Sequence, residues 1–150
     1  MRRPGSRSSY DSAMADPILL HVSGDLMLGG AVMTAAAGAG FEHRRALSWK
    51  GAAGQLDTLP PSLVLLDLEL ERFDLQSVRH WTGRHLFAGY GSHVRTSLFA
   101  AADAAGIGYL FARGEIHAKG ADRLRGLRGL VVDRQQATTA SKVDTGPGDA

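Results

Sequence analysis

Short, dense runs of apolar residues recur along this chain and are separated by longer segments of mixed composition. The run LVLLDL at 63–68 is the most apolar of them, and ILLHV at 18–22 is of the same kind. Apolar runs of this length, bounded by polar or turn-forming residues, are typical of strands that are buried on both faces of a sheet. Both runs therefore predict strands, and the composition of the first favours a central position.

Three further segments predict strands of the same sheet. HLFAGY at 85–90 and IGYLFA at 107–112 are again largely apolar, whereas FEHRRALS at 41–48 carries charged side chains throughout. Charges are typical of an edge strand, because they discourage pairing with a second chain. We therefore expect the segment at 41–48 to lie at the border of the sheet.

Helix-compatible segments follow each of these predicted strands. Asp74 is suited to cap one of them, Gly38 or Gly40 to end another, and Gly106 to end a third. Alternation of strand and helix predicts an α/β fold, a single doubly wound parallel sheet with helices on both faces. Ligands of such sheets bind outside the carboxyl ends of the strands. The predicted helices are 26–40, 50–57, 74–81, 94–105 and 115–130.

The chain of 150 residues corresponds to about one domain. Residues 1–16 and 132–150 lack a hydrophobic period and predict disordered tails, which leaves 17–131 as the folded domain. The sequence contains no cysteine and no apolar run near the ~18 residues that span a bilayer. Its first residues also lack the apolar stretch of a secretory signal. We therefore expect a cytoplasmic protein without membrane contact.

The formal charge is +2, from 17 basic and 15 acidic residues, and this balance does not by itself indicate a nucleic-acid partner. Arg123, Arg125 and Arg128 could still form a local basic patch. A small nucleic-acid-associated basic protein is therefore one hypothesis. Aromatic residues interleaved with the basic ones, which would provide stacking for bases, are missing, and this counts against it.

No sequence motif indicates catalysis. GYGSHV at 89–94 sets a serine beside a histidine, but it lacks the G-x-S-x-G pattern of a nucleophile elbow. GDLMLGG and AGAG lack the glycine spacing of nucleotide-binding loops. The histidines do not show the i, i+4 spacing of a helical zinc site, and His21 is interpreted as a core residue with satisfied hydrogen bonds. We expect no enzymatic activity.

Four segments together resemble the receiver domain of two-component response regulators, the phospho-acceptor fold of bacterial signal transduction. They are ILLHVSGD, LVLLDLEL, HLFAGYGSHV and AAGIGYLFARG, within residues 17–130. The resemblance implies a flavodoxin-like sheet with the strand order 2-1-3-4-5. It also places Asp67, at the end of the third strand, at the position of the phospho-acceptor.

The positions that hold Mg²⁺ in this family depart from its pattern. Two adjacent acids follow the first strand of receivers, whereas Ser23 and Gly24 stand here and the nearest acid, Asp25, comes one residue later. Phosphoryl transfer to a carboxylate requires a divalent cation, because both partners are anionic. We therefore expect no cofactor. The alternative is a Mg²⁺ ion that is bound by Asp67 and, through water, by Asp25.

Other positions of the site are altered as well. The resemblance aligns the hydroxyl residue of receivers with Gly91, followed by Ser92, and their lysine with Arg113. Their switch aromatic aligns with Leu110, next to Tyr109. Only the acceptor aspartate is retained, so the sequence is similar to degenerate members of the family, the pseudo-receivers. The residues expected to line the site are Ser23, Gly24, Asp25, Gly91, Ser92 and Arg113.

These departures favour a stand-alone receiver-like signalling module that acts through protein–protein interaction, without Mg-dependent phosphorylation. Asp67 is then a strand-end carboxylate that accepts hydrogen bonds from loop amides or pairs with Arg113. The alternative is a response regulator of a phosphorelay that accepts phosphate on Asp67 from a histidine kinase.

The resemblance also implies a partner surface formed by the fourth helix, the fifth strand and the fifth helix, where receivers dimerise and bind output proteins. Ser97, Tyr109 and Arg123 are expected on this surface. The expected partner is a histidine kinase or an output protein, and a homodimer is left open.

Overall fold

Strands and helices alternate along residues 15–70, 74–92 and 96–148, which the computed structural model describes. The strands are β1 (Ile18–Val22), β2 (Glu42–Ala46), β3 (Leu63–Asp67), β4 (Leu86–Gly91) and β5 (Tyr109–Ala112). The helices are α1 (Leu26–Gly38), α2 (Trp49–Leu56), α3 (Leu75–Val78), α4 (Thr96–Ala104) and α5 (Arg113–Gly148). All five predicted strands are present, with small differences at their ends.

The strands form one parallel sheet in the order β2-β1-β3-β4-β5, and every neighbouring pair is parallel. The predicted architecture and strand order are confirmed. β3 is the central strand, and the charged strand β2 lies at an edge, also as predicted. Parallel pairing brings the carboxyl ends of the strands to one border of the sheet, the carboxyl edge, and their amino ends to the opposite border, the amino edge.

Helices cover both faces of the sheet, and each face has its own core. Leu19 and Leu65 pack with residues of α1 and α5 on one face. Val64 and Leu66 pack with residues of α2, α3 and α4 on the other. Successive residues of a strand point to opposite faces, so a strand with an apolar core on each side is apolar at every position. This explains the unbroken hydrophobic run of β3.

Capping side chains begin three of the helices. Asp25 caps α1, Ser48 caps α2 and Asp74 caps α3, each by accepting hydrogen bonds from amides of the first turn. The cap predicted at Asp74 is confirmed. After α1, Gly40 has a φ of +84°, which residues with a Cβ rarely adopt. A Cβ there would also lie 2.8 Å from Nε of Arg128.

The C-terminal helix is longer than the sequence predicts. A disordered tail is predicted from residue 132, but α5 continues to Gly148. Arg134 donates hydrogen bonds to the carbonyls of Thr82 and His85, at 3.1 and 3.0 Å. These polar contacts fasten the extension to the amino edge without large apolar side chains. A criterion based on hydrophobicity therefore misses it.

The remaining differences concern element ends. α3 ends at Val78, so the prediction of a helix through Trp81 is wrong in length, and turns follow instead. The tail predicted at 1–16 lies outside the described residues up to position 14. Among the described helices, none is long and apolar enough to cross a membrane.

Candidate functional site

Asp67 is the last residue of β3 and lies at the carboxyl edge, where the ends of β1, β4 and β5 surround it. Ser23 follows β1, Gly91 ends β4, and Arg113 follows β5. An open cleft of about 690 Å³ lies beside this group and is bordered by Asp67, Asp25 and the start of α2. The position predicted for chemistry therefore lies at the expected edge of the sheet, next to an open cleft.

Both carboxylate oxygens of Asp67 have hydrogen-bond donors. Oδ2 accepts a hydrogen bond of 2.8 Å from the hydroxyl of Ser23, and Oδ1 accepts one of 3.0 Å from the N–H of Glu69. The guanidinium of Arg113 lies 3.8 Å from Oδ1. The residue is 5% exposed, so these donors replace most of its hydration. This arrangement corresponds to the structural interpretation of Asp67 made from the sequence.

Arg113 is the cation of the site and contacts three carboxylates. Its guanidinium lies 2.9 Å from Oδ2 of Asp25 and 3.5 Å from Oε2 of Glu69, in addition to its contact with Asp67. Burial disfavours its charge, but the negative charge of Asp67 and its other neighbours outweighs this, and the pKa of Arg113 is raised. The guanidinium also lies over the ring of Tyr90, 5.5 Å from its centroid, in range of a cation–π interaction.

Asp25 is engaged through both of its oxygens. Oδ1 caps α1 by accepting the N–H groups of Leu28 and Met27, at 3.1 and 3.0 Å, and Oδ2 accepts a hydrogen bond from Arg113. These interactions, with the Leu28 amide first, hold the pKa of Asp25 below its ordinary value. Asp25 is therefore a helix cap and an ion-pair partner.

The residues present do not fit a Mg²⁺ ion. Magnesium requires near-octahedral oxygen ligands and is usually bound by carboxylates and waters. Ser23 and Gly24 contribute no carboxylate, and Arg113 lies where a cation would otherwise compensate Asp25 and Asp67. Within the described residues, no group of three or more His, Cys, Asp or Glu side chains could hold a metal.

At the end of β4, the group that faces the site is a main-chain amide. Gly91 has no side chain, and the N–H of Ser92 donates a hydrogen bond of 3.0 Å to Oε2 of Glu69. The resemblance aligned the hydroxyl residue of receivers with Gly91, and the hydroxyl of the next residue, Ser92, was the candidate to replace it. The observed contact instead uses the backbone.

Sequence reasoning missed a buried polar pair beneath the site. The hydroxyl of Tyr90 lies 2.7 Å from Nε2 of His21, and both residues are fully buried. Burial raises the pKa of Tyr90 above its ordinary value, against the effect of its hydrogen bond with Ser23. Burial, together with the charge of Arg45, lowers the pKa of His21 to about 3. A polar residue at a core position of each of two apolar strands was the available signal.

The interpretation of His21 as a satisfied core residue is half correct. Its Nε2 has Tyr90 as partner, but its Nδ1 is buried without a hydrogen-bond partner among the described residues. The ring of His43 also lies close to His21, with centroids 6.4 Å apart. Residues 21 and 43 lie on neighbouring strands, and only the register of β1 and β2 brings them together.

A second arginine supports the loop after β1. Arg45 donates hydrogen bonds to the carbonyls of Ser23 and Asp25, at 3.3 and 2.8 Å. Its guanidinium lies against Gly29 of α1, where a Cβ would overlap it. Arg45 therefore positions the loop that carries Ser23, Gly24 and Asp25, and no sequence pattern indicated this role.

The three residues predicted for a partner surface lie on α4, on the edge strand β5 and on α5. Ser97 is exposed on α4, whereas Tyr109 is half-buried and packs against the α1–α5 core. Leu110, the neighbour of Tyr109, packs on the opposite face. Arg123 is exposed on α5 and pairs with Glu115 at 3.2 Å. Tyr109 and Arg123 thus lie on the α5 side of the sheet, and Ser97 lies on the other side.

Comparison with known proteins places this fold. No protein-family model matches the chain, and no curated protein matches its sequence. The signal receiver domain of an HD-domain-containing protein from Pseudomonas fluorescens Pf-5 is similar, with a TM-score of 0.68 and 15% identity over 83% of this chain and 93% of that one. The chemotaxis response regulator CheY4 of Vibrio cholerae is similar with a TM-score of 0.59 and 14% identity, over 73% of this chain and 99% of that one. The receiver domain of NtrX from Brucella abortus is similar with a TM-score of 0.60 and 19% identity, over 72% of this chain and 98% of that one.

The class of protein is therefore an α/β domain with a doubly wound, five-stranded parallel sheet and a polar site at the carboxyl ends of its strands. More narrowly, the chain has the receiver fold of response regulators. The resemblance drawn from its four segments is confirmed for the fold.

Proposed function

We propose that this chain is a receiver-like signalling module that acts through contact with another protein and does not undergo Mg-dependent phosphorylation. The observation that carries the proposal is the position of Arg113. Its guanidinium lies within 4 Å of Asp25, Asp67 and Glu69. It therefore compensates these carboxylates at the place where phosphoryl transfer would require a divalent ion.

The hydrogen bonds of Asp67 support the same proposal. One oxygen of Asp67 accepts a hydrogen bond from the hydroxyl of Ser23 and the other from the N–H of Glu69, so groups of the chain itself fix the orientation of this carboxylate. Turning it away from Ser23 would leave a buried hydroxyl without its acceptor, at a cost of about 1–3 kcal/mol. The same contacts suit a carboxylate whose task is to join the loops after β1 and β3.

A protein partner is supported by the fold rather than by a particular surface. One similar structure is the receiver domain of an HD-domain-containing protein, and another is the receiver domain of NtrX. We propose by analogy that this module is bacterial and cytoplasmic, has no catalytic activity, and meets a histidine kinase or an output protein.

A nucleic-acid partner has less support, because the arginines of the predicted patch are engaged within the chain. Arg125 pairs with Asp122 at 2.7 Å. Arg128 pairs with Asp16 at 3.1 Å and donates a hydrogen bond to the carbonyl of Gly40. Phosphate-binding arginines would have to give up these partners.

Titration of the isotope-labelled chain with beryllofluoride and Mg²⁺, followed by NMR, tests the phosphorylation half of the proposal. We expect no saturable shift at Asp67, Gly91 or Ser92. A shift that saturates in the native chain and vanishes in Asp67→Asn would instead establish phospho-acceptance.

A gain-of-function variant sharpens this test. Gly24→Asp restores one acid after β1, and a Cβ at Gly24 has no heavy atom nearer than the carbonyl oxygen of Leu47 at 3.9 Å. We expect Gly24→Asp to bind Mg²⁺ measurably by calorimetry, whereas the native chain does not. The variant Gly54→Asp, on α2 with open space around its Cα, controls for added charge.

The protein-contact half is tested by co-purification with the native chain and Asp67→Asn as baits. A partner that is retained equally by both chains, and lost from a bait with altered surface residues on α4 or α5, would support contact that is independent of phosphorylation. Loss of the partner from Asp67→Asn alone would contradict it.

A further inference from the structure

Glu69 joins the ends of three strands at the site. Its N–H donates a hydrogen bond to Oδ1 of Asp67, the last residue of β3. Its Oε2 accepts a hydrogen bond of 3.0 Å from the N–H of Ser92 after β4 and lies 3.5 Å from Nη2 of Arg113 after β5. A single carboxylate oxygen therefore bridges the segment after β4 and the start of α5, which are 21 residues apart in the chain (92 to 113).

The donors around this oxygen form the kind of site that binds oxyanions. A main-chain N–H and an arginine guanidinium that converge on one point are typical ligands of phosphate, sulfate and carboxylate oxygens. The same guanidinium lies 3.8 Å from Asp67, so this point is next to the acceptor position. The chain's own carboxylate occupies it.

The end of β4 lies directly beside this carboxylate. A Cβ on Gly91 would lie 3.6 Å from Oε2 of Glu69 and 3.5 Å from Cε1 of Phe99, which are ordinary van der Waals distances. The side chain of Glu69 therefore packs against the end of β4 as well as accepting from the Ser92 amide.

We propose that Glu69 is an internal anion that fills an oxyanion site formed by the N–H of Ser92 and Arg113. It holds Ser92, after β4, to the first residue of α5 without an added phosphoryl group, so the module keeps one arrangement of these two segments. The inference builds on the proposed function, since a chain that needs no phosphate must order this loop in another way. When Glu69 is shortened, the vacated donors bind a small oxyanion such as sulfate or inorganic phosphate.

The experiment compares Glu69→Ala and Glu69→Gln with the native chain by NMR, followed by titration with sodium sulfate at constant ionic strength. We expect the Ser92 amide and the Arg113 side chain to shift strongly in Glu69→Ala and less in Glu69→Gln, which keeps an uncharged acceptor oxygen. Sulfate should reverse the Ser92 shift in Glu69→Ala. Its affinity for this variant should be at least about ten-fold higher than its affinity for the native chain.

Two further chains complete the design. Asp122→Ala removes an exposed carboxylate that is paired with Arg125, and we expect it to leave Ser92 unmoved and to gain no sulfate binding. The double variant Glu69→Ala with Arg113→Gln lacks the guanidinium, so the gained affinity should disappear.

The proposal is overturned if Ser92 does not move in either Glu69 variant, or if Glu69→Ala binds sulfate no better than the native chain. Should Glu69→Ala fail to fold, the Ser92 shift in Glu69→Gln still decides the question. These outcomes are separate from the beryllofluoride test. That test uses the native chain and addresses Asp67, so either conclusion can fail while the other stands.

Discussion

The two edges of the sheet are held together by different polar chemistry. At the carboxyl edge, Arg113 lies among three carboxylates, the nearest being Asp25 at 2.9 Å. At the amino edge, the buried ring of His85 accepts a hydrogen bond of 3.1 Å from the N–H of Ser62 at Nδ1, and its Nε2 lies 3.0 Å from the carbonyl oxygen of Leu56. The carboxyl edge thus gathers several carboxylates around one cation. At the amino edge the buried titratable group is a neutral imidazole, and the guanidinium of Arg134 donates to main-chain carbonyls.

The contacts of His85 determine its protonation. A main-chain N–H can only donate, so Nδ1 must accept, and Nε2 carries the proton that it donates to the carbonyl of Leu56. A protonated ring could not accept from Ser62. Burial accordingly lowers the pKa of His85. Carboxylates that share one cation are therefore found at the edge where this fold class binds ligands, whereas the buried ring at the opposite edge is uncharged.

The largest effect is expected from removing the central cation. Arg113→Met leaves three neighbouring carboxylates without their shared partner, and we expect the free energy of unfolding to fall by about 3 kcal/mol at neutral pH, as measured with urea. Arg113 is 33% exposed, so solvent screening limits the loss. Arg123→Met, which removes the exposed pair with Glu115, should cost less than about 1 kcal/mol. Equal losses would contradict the special role of Arg113.

Mild acid should destabilise the protein through its buried histidines before it affects the carboxylates of the site. The pKa values of His21 (lowered to about 3), His43 and His85 all lie below the ordinary 6.5. The unfolded chain therefore takes up protons first, and stability that is complete above about pH 6.5 declines as the pH falls. His21 alone corresponds to a loss of about 2 kcal/mol by pH 5.

Urea unfolding at a series of pH values measures this decline. Asp25 behaves differently, because its pKa lies below its ordinary 3.8; its contribution persists above that pH and is lost only as the pH falls further. His85→Gln should flatten the profile between pH 7 and 5, whereas His117→Gln, on the surface of α5, should not. A native chain that is equally stable at both pH values would refute the neutral-ring account.

The smallest effect concerns a single hydroxyl. Ser23→Ala removes the donor to Oδ2 of Asp67 and the acceptor of the Asp25 N–H, while Oδ1 of Asp67 keeps its hydrogen bond from the N–H of Glu69. We expect a loss of about 1 kcal/mol. Ser77→Ala, whose hydroxyl donates to an exposed carbonyl of Asp74, should change stability little. A similar loss of unfolding free energy in the two variants would mean that the hydroxyl of Ser23 contributes no more to stability than an exposed hydroxyl does.

Much of the fold and one point of the site could be predicted from local patterns. Four of the five strands are short apolar runs because both faces of the sheet are covered, and the charges of β2 indicated its place at the edge. Asp67 could be placed at the carboxyl edge because it ends the most apolar of these runs. Arg113 could be assigned to the same site because it follows the fifth strand.

The partners within the site could not be predicted in this way. Glu69 differs little in the sequence from the other acids near it, and its role arises because the ends of β4 and β5 bring Ser92 and Arg113 to it. The pairing of His21 with Tyr90 likewise joins residues 69 positions apart. Both depend on the register and order of strands, which no local pattern contains.

By itself, then, the sequence determined the alternation of strand and helix, the edge position of β2 and the strand end occupied by Asp67, because burial and charge act locally on each segment. Only the tertiary structure decided which side chains compensate that carboxylate and that α5 extends along the amino edge. Hydrogen bonds and ion pairs act over a few ångströms between residues that are far apart in the chain, and folding alone brings them within reach.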